Sequence, residues 1–273
     1  MSAFLHDLRL GLRTLRANPG FATIAVIALA LGTSLNLAVF TLVNALLLRP
    51  VPGDDSRGET VGLYHYDRIQ RAYNQFSYPA FAAIRKRNQV FTSLTAHAVM
   101  EVGFGEGDLT RRVFASVVPA NYFPTFGVRL AAGRNFSSEE ERPGSGASVA
   151  IVGHRYWRKS GFDGNLIGRS ITINTHRFTI IGVAPRSFIG TTPFLVPEIW
   201  LPTGAYDLVA SRSLLRQQHA QLVDPANPTL MLFGRLKPGI GIQAAARSVR
   251  PLAAFTIEGR PHRADSTIYW WSD

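Results

Sequence analysis

Cysteine is absent from the 273-residue chain, lysine is nearly so, and one long stretch carries no charge at all. Without cysteine there is no disulfide scaffold, no zinc ribbon and no thiol nucleophile. Lysine occurs three times against twenty-six arginines, and the arginines are scattered. The formal charge of +11 is therefore not a compact basic tract, and no nucleic-acid partner is expected. Phosphate-cradling chemistry is missing too: no G-x-x-x-x-G-K-[ST] occurs, so ATP is not held through a P-loop. There is no G-x-S-x-G nucleophile elbow. The seven histidines are His6, His65, His97, His154, His176, His219 and His262, and none stands at ligand spacing from another. No catalytic residue, metal or cofactor is assigned, and the chain is not read as an enzyme.

What is present is apolar and unevenly spread. The 46% hydrophobic content excludes a disordered chain. From Ala17 to Leu48 no side chain is charged, a run of 32 residues. As a helix it would be about 48 Å long, whereas a hydrocarbon core needs only about 20 residues. Residues 21–40 can cross a bilayer, with length to spare as a stalk, and the run is too long for a cleaved signal peptide. Arg9, Arg13 and Arg16 precede it, and Arg49 and Arg57 follow it beside Asp54, Asp55 and Glu59. The basic bias puts the N-terminus in the cytoplasm and residues 50–273 outside. Phe4, Leu5, Leu8, Leu12 and Leu15 recur at helical spacing, so residues 1–19 read as a cytoplasmic amphipathic helix lying on membrane lipid, ended by Asn18-Pro19-Gly20.

Within the span at 20–48, Ala28 and Gly32 form a small-xxx-small pair. Thr33, Asn36 and Asn44 fall within about an 80° arc at 100° per residue. An amide in lipid seeks a hydrogen-bond partner, so Ala28, Gly32, Thr33 and Asn36 are expected to face another helix. No further segment is long and apolar enough to supply it.

Beyond a Pro/Gly-rich linker at 50–55, short strands and helices mix. Strands are predicted at 60–66, 94–104, 109–118, 149–152, 170–174, 177–183, 199–201 and 230–236. Helices are predicted at 78–87, 154–160 and 242–255, with a helical turn at 119–126. Gly103-Phe104-Gly105-Glu106-Gly107 joins two strands, which makes it hairpin rather than nucleotide loop. Glu139, Glu140 and Glu141 follow Ser137-Ser138 and read as helix-start residues. Trp157 and Trp200 read as core packing. The pattern is α+β rather than doubly wound: the first strand, helix and hairpin resemble half of a split βαβ unit that the strand and helix after 229 complete. Residues 119–225 would then be an insertion with its own small sheet. Residues 267–271 read either as a closing edge strand or as an unrelated tail.

These segments carry a resemblance. NPGF, ALALG, N-x-A-x-F and LLRPVP in residues 12–52 are similar to the N-terminus of MacB/FtsX-like ABC transporter permeases, nearest to the ADOP-type orphan permeases. VVPANYFPTFGVRLAAGRNFSSEE, VAIVGHRYWRKSGF, LIGRSITINTHRFTIIGVAP, EIWLP and GRLKPGIG follow in the family's order across roughly residues 8–255. The resemblance implies an inner-membrane protein with one transmembrane helix and a MacB-like periplasmic core domain at 50–273. It implies a porter-like subdomain at about 60–118 plus 229–255 and an inserted sabre-like one at about 119–225. It also implies further permease helices and a separate cytoplasmic ABC ATPase. The expected function is a permease subunit, or a truncated permease fragment, of a transport or mechanotransmission system. The alternative is a single-pass anchored module that binds a periplasmic protein or lipid.

Overall fold

The computed structural model describes residues 16–47, 60–67, 72–106, 109–162, 164–192, 195–210, 221–254 and 267–269. Of the amphipathic helix predicted at 1–19, residues 1–15 lie outside them. The chain divides into two compact units, Met1–Arg49 and Pro50–Asp273.

The long helix of the first unit is α1 (Pro19–Leu47). Asn18 stands outside the helical run and its carbonyl accepts the first bond, from Ala22 N at 3.1 Å. Pro19 follows at the first helical position, where its missing N–H costs nothing. The hydroxyls of Thr23 and Thr33 donate to Pro19 O and Leu29 O, each at 2.8 Å, so both are satisfied within the helix. Residues 19–41 form a segment long and apolar enough to cross a membrane, and it is unburied, with Phe21 and Leu29 about seven-tenths exposed.

The second unit is built on one mixed sheet. Its strands are β1 (Thr60–Asp67), β2 (Ala72–Asn74), β3 (Phe91–Glu106), β4 (Leu109–Val118), β5 (Ala132–Gly133) and β6 (Val149–Val152). They continue with β7 (Ser170–Ile173), β8 (His176–Val183), β9 (Ile199–Pro202), β10 (Met231–Leu236) and β11 (Thr267–Tyr269). The helices are α2 (Tyr78–Arg87), α3 (Tyr122–Thr125), α4 (His154–Lys159), α5 (Tyr206–Ala210) and α6 (Ile242–Ala254).

The order along the sheet is β11-β1-β10-β3-β4-β9-β6-β8-β5, with β2 beside β1 and β7 beside β3 and β8. β10 lies between β1 and β3 and is antiparallel to both, so β1–α2–β3 is a split βαβ unit completed from the far end of the chain. The inserted strands do not make a separate sheet: β9 runs parallel to β4 and carries β6, β8 and β5 onto the same surface. β11 pairs with Tyr64, His65 and Tyr66 of β1, the edge-strand alternative for residues 267–271. β2, β5 and α5 have no counterpart among the predicted elements. Glu140 and Ser137 do exchange the two bonds of a capping box, at 2.8 and 3.2 Å, but the chain makes a single turn and no helix follows before Pro143-Gly144.

Strand periodicity divides β3 into two buried faces. Leu94, Ala96, Ala98, Met100, Val102 and Phe104 lie in a core that includes Phe81 and Ile84 of α2 and Ala245 and Val249 of α6. The alternate residues Thr95 and His97 are equally buried, under a second cluster of Tyr122, Phe123, Phe126, Phe188, Trp200 and Phe233. Burial of each such aromatic or aliphatic side chain contributes about 1.5–3 kcal/mol.

Candidate functional site

Two features of the sequence reading bear on function, the helix face and the polar residues of the domain. On α1, Ala28, Gly32 and Asn36 are spaced four apart and lie within about 80°, with Thr33 some 60° further round. A Cβ added at Gly32 would meet nothing within 4 Å, and Ala28, Gly32, Thr33 and Asn36 are all exposed. The Thr33 hydroxyl is already tied to backbone, which leaves the Asn36 amide as the polar group free to bond outward. The structure places these residues on one helix and, among the described residues, gives them no second helix as partner.

In the domain, three arginine–carboxylate pairs fix the insertion. Arg85 of α2 reaches Glu141 at 3.0 Å, and the second oxygen of Glu141 accepts from Ala120 N at 2.7 Å. The Thr203 hydroxyl donates to the Glu141 carbonyl. Arg111 grips Glu198 through two bonds of 2.6 Å, and Arg134 grips Glu140 at 2.9 and 2.7 Å. The bonds from Arg111 and from Arg134 hold the carboxyls of Glu198 and Glu140 below the usual carboxylate range. Asn174, with φ of 55°, holds the β7–β8 turn against β3: its Oδ1 accepts from Gly103 N at 2.9 Å and its Nδ2 donates to Val209 O at 3.0 Å.

A polar knot lies inside the second cluster. His97 is 1% exposed, its ring stacked on Tyr122 at 6.1 Å and edge-on to Phe233 at 5.4 Å. Nδ1 lies 3.4 Å from Ser116 Oγ and 3.3 Å from Thr191 Oγ1, and Thr191 Oγ1 lies 3.0 Å from the Tyr122 hydroxyl. Nε2 is buried with no partner among the described residues. Burial pushes the imidazole down to about 4 and the Tyr122 phenol upward. Reading the histidines by ligand spacing missed the knot, because its partners are hydroxyls and rings from distant segments. Trp200 is 1% exposed and packs on Phe123 and Phe188, in keeping with a core role, whereas Trp157 is half-buried against Phe162. Among the described residues, no group of three His, Asp or Glu is placed to hold a metal ion.

The profile of the MacB-like periplasmic core domain matches residues 22–252, and the chain belongs to that family. The fold agrees. The periplasmic region of MacB from Actinobacillus actinomycetemcomitans is similar with TM-score 0.55 and 13% identity, over 77% of this chain and 87% of that one. The extracellular domain of the noncanonic ABC-type transporter YknZ from Gram-positive bacteria is similar with TM-score 0.55 and 11% identity, over 78% of this chain and 100% of that one. At these identities the likeness is one of fold. No curated protein matches the chain. The protein is thus a MacB-like periplasmic core domain preceded by an apolar helix, and it is related to ABC transporter permeases.

Proposed function

We propose that the chain is the anchor and extracytoplasmic domain of an ABC-type permease in the bacterial inner membrane, with residues 1–19 cytoplasmic and 50–273 periplasmic. The observation that carries this reading is the family match at 22–252, which begins inside an unburied apolar helix. A separate cytoplasmic ABC ATPase would drive further permease helices. Movement would reach the periplasmic domain through α1, whose length exceeds a bilayer core by roughly 14 Å. Ala28, Gly32, Thr33 and Asn36 are the face proposed to meet those helices. The split βαβ unit would serve as the porter-like part and residues 119–225 as the sabre-like part. The absence of a P-loop supports a role without ATP hydrolysis by this chain.

The test is cross-linking in native membranes followed by purification of the full chain. Recovery of permease helices together with an ABC ATPase is expected. Recovery of the chain with only a periplasmic protein or lipid would replace this reading by that of a single-pass binding module. Protease added outside spheroplasts should digest residues 60–269, and their protection would overturn the orientation.

A further inference from the structure

His97 sits where the two halves of the sheet meet. Residues up to His97 on β3 pair with β10, the last pair being Met231 with His97, and the next residue, Ala98, begins the pairing with β4. The ring touches four separate pieces of chain: Ser116 on β4, Tyr122 on α3, Phe233 on β10 and Thr191 in the segment after β8. That segment closes over the ring with Phe188, packed on Tyr122, Phe123 and Trp200.

We propose that His97 is an acid-sensitive joint of the periplasmic domain: when it gains a proton, the segment at 184–192 lifts from the sheet and the grip between the split βαβ unit and the insertion loosens. The proposal concerns a device within the fold and does not depend on the transport partners suggested above.

The physical reason is that the closed box has no place for an imidazolium. Both ring nitrogens would then carry hydrogens, and buried Nε2 has no acceptor among the described residues. Among the described residues, the surroundings offer no compensating anion. β10 contributes Arg235, itself a buried cation, and α3 contributes the Tyr122 phenol, held neutral by burial. The covering segment contributes Arg186, which is exposed, and β9 is preceded by Glu198, committed to Arg111. Glu101 lies on β3 itself, four residues and roughly 13 Å along the strand, beside Arg112. An opened segment would let water reach the ring and return it to its ordinary value of about 6.5. The folded, closed state therefore binds fewer protons than the open one. Closure is fully favoured above the ordinary value and is lost as pH falls from there towards about 4. Between about pH 7 and pH 5 the open-to-closed ratio should rise about 20-fold.

The experiment is hydrogen exchange of the full chain in nanodiscs, read on peptides covering 184–192 and corrected for the intrinsic pH dependence of exchange. The wild type should lose about 20-fold in protection there between about pH 7 and pH 5, and His97→Phe should lose little. Loss in the wild type of less than about threefold overturns the proposal, as does equal loss in His97→Phe. If His97→Phe does not fold, the wild-type imidazole is followed by nitrogen NMR. A ring that stays neutral in the closed state to below about pH 5 supports the joint, and one that titrates near 6.5 without opening overturns it.

Discussion

Arg235 and Thr125 are joined twice: Nε and Nη2 of Arg235 both donate to the Thr125 carbonyl, at 2.9 and 2.7 Å. Thr125 is the last residue of α3, so this carbonyl has no partner within its own helix. A cation there meets the negative end of the local dipoles, and the buried guanidinium draws α3 onto β10. Ser93 of β3 holds the same residue from the other side, its Oγ lying 2.7 Å from Thr125 Oγ1. Arg235→Leu keeps the stem volume and removes the donors, so it should lower stability by about 2–3 kcal/mol. Arg235→Lys keeps the charge without the planar fork and should fall between the two. Denaturant melts of the full chain in detergent measure both.

Gly204 has no room for a side chain. A Cβ there would collide with Ser145 Oγ and with the carbonyls of Glu140 and Arg142, two of which are backbone that a rotamer change cannot relieve. Gly204→Ala should displace the 137–146 turn and cost about 1–3 kcal/mol. Gly164 faces open space, so Gly164→Ala should be close to neutral. Equal melting temperatures for the two variants would contradict the packing described.

The carboxyls of Glu140 and Glu198 are held low by Arg134 and Arg111, so the folded state binds fewer protons than the unfolded one. Their contribution is complete above about pH 4.5 and is lost as pH falls through the depressed values. Both pairs are partly exposed, so each is worth no more than about 1 kcal/mol and weakens in high salt. A double-mutant cycle of Arg111→Gln and Glu198→Gln should give that coupling at neutral pH and progressively less as pH falls below about 4.5. This window opens only below about pH 4.5, whereas the His97 effect is already present between about pH 6.5 and pH 5, which separates the two.

On α1, Gly32→Leu and Asn36→Leu should each reduce cross-linking to neighbouring membrane helices, because one fills the close-approach site and the other removes the outward amide. Unchanged cross-linking in both variants would mean that this face meets lipid.

β11 covers part of the outer edge of β1. Deleting residues 264–273 should lower the melting temperature and increase self-association, since it reopens a strand edge. An unchanged melt and an unchanged oligomeric state would show that the pairing contributes nothing.

Elements whose signal is local could be read from the residues alone. Ser77-Tyr78-Pro79 marks the start of α2, and Val149–Val152 is an uninterrupted apolar run, so their bounds match the structure to the residue. The charge-free run predicts α1 because backbone groups in an apolar stretch of that length are best satisfied helically. β2 and β5 escaped because two or three residues carry no periodicity, and only pairing with β1 and β8 makes them strands.

The sequence by itself determined an apolar N-terminal helix and a mixed α/β fold, because caps, turns and alternation act within a few residues. It did not determine what the polar positions of β3 would meet. Ser93, Thr95 and His97 alternate with Leu94, Ala96 and Ala98. Only the tertiary structure decided it: the chain joined through β4 and β9 brings Tyr122, Phe188 and Trp200 over their face. A buried histidine and a buried arginine arise there because the groups that surround them lie far away along the chain, where no local pattern records them.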